Sequence, residues 1–330
     1  MININVKDTG TIQAAIDKAS EYDGFATINI PAGIYHEKIT LTRPHTILKG
    51  DSREDTIIEY DDYALKMHED GRKYGTFRSY TMLIDASDVT LLNLTVRNTN
   101  TSHKKAGQAL ALYADGNMIS VIDCKLQSYQ DTLFTGPLPP FPYSIGGFTG
   151  PKEFSERING FQYYKGTQIS GDIDFIFGSA TAFFERCDIV ADTDAEASAS
   201  AVKKESTLSY LTAASTPEGQ EYGYVFANCR LLSTLPDETV YLGRPWRDFA
   251  KTVFINCFMG EHIKKDGFHD WNKENARDTV FYAEYGSYGP GASKERASFV
   301  KHLTEDEAEN YSRDNVLKNF RDWPTLNRLN

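Results

Sequence analysis

One short pattern recurs along the chain and limits what it can fold into. It reads L-N-L-T-V at 92–96, I-D-C-K-L at 122–126, E-R-C-D-I at 185–189, A-N-C-R-L at 227–231 and I-N-C-F-M at 255–259, with G-T-Q-I at 166–169 as a weaker copy. Each copy has a polar or charged residue, a Cys or Leu, one variable residue and an apolar residue. The shortest interval, Thr167 to Cys187, is 20 residues. A strand-rich coil of that size cannot bury its own apolar face, but a stack of coils can. The pattern therefore predicts an all-β parallel β-helix. A β-sandwich also has many short strands separated by turns, but near-identical tetrads at repeated intervals favour the stack.

The cysteines follow from this. Cys124, Cys187, Cys229 and Cys257 occupy one slot of the repeat, which reads as an interior ladder of small apolar residues. No C-x-x-C pair suggests zinc, and no metal is expected.

Before the repeats, Ile12, Ala15, Ile16 and Ala19 have helical spacing, with Thr9 or Thr11 as cap. Short strands are expected over F-A-T-I-N-I, H-E-K-I-T-L, H-T-I-L-K-G and T-I-I-E-Y. Two segments break the rhythm. Residues 135–160 are dense in Pro and Gly and read as a long loop on one side of the stack. Residues 191–207 read as a solvated excursion; D-x-D-x-E at 192–196 lacks the Gly and length of a calcium loop. T-E-D-E at 304–307 is a capping box, so short helices are expected to close the stack there. The whole of 1–330 is read as one domain.

At 330 residues and a net charge of −11, the chain is not built as a general nucleic-acid binder. No apolar run reaches the length of a membrane span, and the N-terminus shows no secretory pattern. A cytoplasmic protein is expected, or a secreted one if a leader has been removed. The oligomeric state is not legible. There is no G-x-S-x-G, no phosphate-binding glycine motif and no paired histidines, so no cofactor is expected.

What remains is polar groups set beside apolar ones. G-Q-A-L-A-L holds Gln108, Q-D-T-L holds Gln130 and Asp131, G-D-I-D-F-I-F-G holds Asp174, and L-G-R-P-W holds Arg244 and Trp246. Strand alternation puts Asp174 on the face of Ile176. Taken singly, each has a plain structural use: a strand end, a turn, a paired buried acid, a packed Trp. Together they are parts of an acyl-transfer site without serine. A carboxylate can be a nucleophile, a second one an acid and base, amides can hold an oxyanion and a guanidinium can orient the first acid.

These motifs, with G-I-Y-H-E at 33–37, resemble the signature segments of the pectin methylesterases, in the same order, over about residues 1–300. F-Y-A-E-Y-G-S-Y-G-P-G-A at 281–292 is similar to a late segment of that family. The resemblance implies a right-handed parallel β-helix and hydrolysis of methyl esters of galacturonan or oligogalacturonides. It implies Asp174 as nucleophile, Asp131 as acid and base, Gln108 and Gln130 at the oxyanion, and Arg244 paired with Asp174. Trp246, Trp271, Tyr113 and Phe177 would contact sugar. Asp131 and Asp174 are 43 positions apart, farther than the family's usual separation, and the 135–160 loop supplies the excess. That loop is expected beside the cleft, where it could narrow a groove into a pocket that prefers short or chain-end substrates; the alternative is that it only packs on the coil flank or in a dimer contact. A stacking Trp that the family often has near Phe268 is missing. Readings that compete are an esterase or thioesterase on a non-pectic ester, a non-catalytic carbohydrate-binding relative, a two-carboxylate glycosidase and a calcium-dependent lyase.

Overall fold

A computed structural model describes residues 1–100, 103–192 and 207–329. The strands form three parallel sheets of 11, 8 and 7 strands, and the chain visits them in rotation. This is a right-handed parallel β-helix. The 191–207 excursion, with its D-x-D-x-E motif, falls almost wholly outside the described residues.

The polar residue of each repeat turns the chain from the 11-stranded sheet into the 8-stranded one. Asn93, Asp123, Arg186, Asn228 and Asn256 all have φ between 51° and 55°, and Gly166 and Gly286 do the same work at 58° and 63°. Asn and Asp tolerate this left-handed conformation better than other side chains, and Gly has no Cβ to clash. The next residue points inward: Leu94, Cys124, Cys187, Cys229 and Cys257 are buried, and the four thiols are unpaired. Thr167 fills the same slot in the weaker copy. Its hydroxyl donates to the Val121 and Lys165 carbonyls at 3.1 and 3.2 Å. Alongside runs a stack of rings, Tyr164, Phe184, Phe226 and Phe254, with centroids 4.6, 4.4 and 4.7 Å apart. Those intervals are close to the strand spacing, so each coil adds one ring to a continuous core.

Helix Ile12–Ala19, capped by Thr11, seals the N-terminal end with Ile12, Ala15, Ile16 and Ala19. Glu37 of G-I-Y-H-E accepts hydrogen bonds from the Ile12 and Gln13 amides at 3.0 and 3.1 Å. A carboxylate at a helix N-terminus satisfies free donors and complements the dipole. H-E-K-I-T-L is not one strand: Gly33–His36 and Ile39–Leu41 belong to different sheets, because the chain turns at Glu37 and Lys38.

The capping box forms, with Thr304 and Glu307 exchanging hydrogen bonds at the start of helix Glu305–Glu309. Helix Arg313–Val316 follows. These helices do not close the end of the stack, as the sequence suggested. Val316, Leu317, Phe320 and Trp323 pack on the outward side chains Tyr163, Phe183, Val225 and Val253 of the 11-stranded sheet. That apolar outer face has to be covered, and the tail covers it. The tail runs back far enough for the Thr325 amide to donate to Asp88 at 2.9 Å and for Arg328 to lie 3.8 Å from the Phe25 ring.

Candidate active site

The site lies on the outer face of the 7-stranded sheet. Register aligns Leu83, Tyr113, Phe134, Phe177 and Ala213 as an outward row. Phe77, Leu138 and Phe148 pack onto it. Backbone pairing brings the polar residues of successive coils together. The Ala109 amide donates to the Gln130 carbonyl at 3.1 Å, and the Asp131 amide to the Ile173 carbonyl at 3.0 Å. The Arg244 amide donates to the Thr212 carbonyl at 2.9 Å. Gln108, Gln130, Asp131, Asp174 and Arg244, separated by up to 136 positions, thus line one cavity of about 220 Å³.

Asp174 does not share a face with Ile176. Ile173 pairs with Tyr210 but Ile176 with Thr212, so two residues oppose Leu211 and the strand bulges. Asp174 sits at the bulge with φ 51°. Phe175 and Ile176 enter the core, while Asp174 and Phe177 face the cavity. Asp131 also has a left-handed backbone, φ 64°. Strained conformations of this kind concentrate at functional sites. The flanking Gly178 is needed because a Cβ there would lie 2.1 Å from the Thr135 carbonyl oxygen.

Arg244 grips Asp174 with both arms, Nε to Oδ1 at 2.8 Å and Nη2 to Oδ2 at 2.7 Å. Its guanidinium is held between the Tyr210 and Trp271 rings, 3.9 and 3.7 Å from their centroids. Burial raises the Asp174 carboxyl above the usual aspartate range, and Arg244 opposes that rise. Burial and then the charge of Asp174 push Asp131 well above it. Asp172, also buried, adds negative charge that raises both. Two adjacent carboxyls, one held by a guanidinium and one not, favour opposite protonation states.

Trp246, Trp271 and Phe177 line the cavity. Tyr113 does not: it is 0% exposed beneath Phe77 and Phe134, so it offers no face to a sugar. Phe268 is also interior, stacked on Tyr282 at 4.1 Å, and the indoles facing the site are Trp246 and Trp271. The sequence did not single out Thr76, Phe77 and Ala213, which also line the cavity, or Tyr210 against Arg244. The 135–160 loop reaches the site, with Gly147 on the cavity wall. Among the described residues no cluster of His, Cys, Asp and Glu is suited to hold a metal.

The pectinesterase family model matches residues 4–141 and 155–319. The chain belongs to the pectinesterase family. Pectinesterase A of Dickeya chrysanthemi is 32% identical, over 96% of this chain and 88% of that protein. Pectinesterase 31 of Arabidopsis thaliana is 28% identical, over 99% and 95%. Among solved structures, a pectin methylesterase in complex with a hexasaccharide superposes with a TM-score of 0.75 at 31% identity, covering 94% of this chain and 93% of that one. Pectin methylesterase PemA from Erwinia chrysanthemi gives 0.75 at 30% identity, covering 96% of each. The activity is that of a pectin methylesterase, a carboxylic ester hydrolase. No helix among the described residues is long and apolar enough to cross a membrane.

Proposed function

We propose that this chain hydrolyses methyl esters of galacturonate residues with Asp174 as nucleophile and Asp131 as acid and base. The observation that carries the assignment is the asymmetry of the two acids: Arg244 holds Asp174 through both oxygens, while Asp131 is buried beside it and favours its proton. The Asp174 carboxylate adds to the ester carbonyl carbon, and the oxyanion accepts hydrogen bonds from the Gln108 and Gln130 amides. As the carbon–methoxy bond breaks, Asp131 gives its proton to the departing oxygen, and methanol leaves. An acyl group remains on Asp174. Asp131, now ionised, takes a proton from water as the water oxygen adds to the acyl carbon. The C–O bond to Asp174 then breaks, Asp174 is regenerated as a carboxylate with Asp131 protonated again, and the sugar leaves as a carboxylic acid that gives its proton to solvent. Trp246 and Trp271 supply ring faces, and Phe177 the floor.

The proposal treats residues 1–330 as one functional unit. A cytoplasmic site of action is part of the same reading, supported by the four unpaired cysteines, and cell fractionation checks it. The mechanism is tested by methanol release from methylated galacturonan. Asp174→Asn, with an unchanged circular dichroism spectrum, is expected to lose release by at least about a thousandfold. Near-wild-type release from that variant overturns the assignment.

A further inference from the structure

The family model leaves residues 142–154 unmatched, so this stretch of the loop lies outside the part of the chain that follows the family pattern. It is nonetheless fixed to the site. The Tyr143 hydroxyl donates to the Trp246 carbonyl at 2.6 Å and accepts from Lys273 Nζ at 2.9 Å. Lys273 also donates to the Pro245 carbonyl at 2.8 Å. The Arg247 guanidinium lies 3.7 Å from the Tyr143 ring centroid and donates to the Phe141 carbonyl at 2.7 Å. Both cations are therefore engaged in holding the loop.

The same stretch joins two sides of the cavity. Phe148 is buried, with its ring centroid 5.7 Å from Phe77 and 6.2 Å from Trp246. Phe77 and Trp246 come from coils on opposite sides of Asp174. Toward the N-terminal coils, the outward row continues as Phe134, Tyr113 and Leu83, all sealed beneath these rings. Toward the C-terminal coils the row ends at Ala213. Beside it Tyr210 and Tyr241, paired and stacked on one another three positions before that row, are partly exposed, and a second cavity of about 510 Å³ is lined by Tyr241, His269, Asp270 and Asn272. The 220 Å³ of the first cavity is below the roughly 300–1,000 Å³ typical of whole-ligand pockets.

We propose that the loop makes the site one-ended. The reacting ester is carried by a terminal sugar, and the rest of the chain leaves over Tyr210 and Tyr241. The preferred substrates are then chain ends and short methylated oligogalacturonates, not the interior of the polymer. This inference rests on the ester hydrolysis proposed above.

The probes are fully methylated hexagalacturonate and highly methylated polymer, with Asp174→Asn as blank. The position of the first freed carboxylate in the hexamer is read by tandem mass spectrometry. The wild type is expected to free a terminal residue and to release methanol from the polymer at least about tenfold more slowly per ester, the effect of about 1.4 kcal/mol of lost binding. Tyr143→Ala, and a second variant with 142–154 replaced by a short Gly-Ser linker, are expected to free interior residues and to narrow that gap. Tyr143 is outside the cavity lining, so its variant keeps hydrolysing the hexamer. Should Tyr143→Ala not fold, Tyr143→Phe removes the hydroxyl tie alone and is expected to shift the pattern in the same direction. Interior release by the wild type, equal rates per ester, or an unchanged pattern in folded variants overturns one-endedness while leaving the ester chemistry intact. No methanol from either substrate removes the ester reading and this inference with it.

Discussion

Arg244 meets Asp174 edge to edge, with two nitrogens on two oxygens, and its flat faces are covered by Tyr210 and Trp271. A lysine can reproduce the charge but neither the fork nor the stacking. Arg244→Lys is expected to lower kcat by roughly a hundredfold or more. Arg244 also lowers the Asp174 pKa against burial, so the variant's acid limb should move to higher pH. A pH–rate profile measures both effects.

The wild-type profile should be bell-shaped. With Asp174 as the proposed nucleophile, turnover requires it ionised, and its pKa is raised from 3.8, so the acid limb lies above that value. With Asp131 as the proposed acid, turnover also requires it protonated, so activity falls as pH rises through its elevated pKa. A profile flat on the alkaline side would remove Asp131 from the acid role.

Asp131 should also cost stability. Its folded pKa is raised, so the fold holds the proton more tightly than the unfolded chain does. Its favourable contribution is complete below the unfolded value and is lost as pH rises through the folded one. Asp131→Asn removes that loss. The variant should melt higher than wild type at alkaline pH, by a margin that shrinks on acidification, while turnover falls by about 10²–10⁴. Calorimetry at two pH values checks the sign.

His262 gives the opposite dependence. Burial lowers its imidazole from 6.5 to about 4, and Nε2 is buried without a partner. The unfolded chain takes up a proton near 6.5 that the fold refuses until about 4. Stability is therefore lost as pH falls across that window, by about 3 kcal/mol. His262→Leu should flatten this part of the stability curve, as read by urea melts between pH 7 and pH 4.

Tyr113 was a sugar contact on sequence grounds, but its hydroxyl is buried without a partner. Tyr113→Phe should therefore leave KM unchanged and raise stability by about 1 kcal/mol, since an unsatisfied buried polar group is removed. A raised KM would return the residue to the cleft.

The stack was legible because its turns demand particular residues. An αL bend followed by an inward position leaves a polar–small–apolar signature wherever the coil repeats, and the five tetrads show it. The polar groups of the site were legible because charge and amide next to Phe and Ile stand out. Geometry that breaks local periodicity was not legible. Alternation misplaced Asp174 because a bulge is a relation between two strands, and Leu211 lies 37 positions away. Aromatic residues gave no signal separating surface from interior: Trp246 lines the cavity, while Tyr113 and Phe268 are covered by neighbours distant in sequence. The tail's helices were readable from the capping box. Their resting place was not, because it depends on an apolar face assembled from four separate coils.

That tail changes how the molecule should come apart. A stack in which each coil touches only its neighbours can fray from either end, one coil at a time. Here a strap leaves the last coils and fastens to Asp88 and Phe25 near the first. Loosening the C-terminal coils then releases cover from the early ones, and melting at the front frees the strap from its anchors. A linear array acquires the cooperativity of a closed loop, and local fraying is replaced by unfolding of much of the length at once.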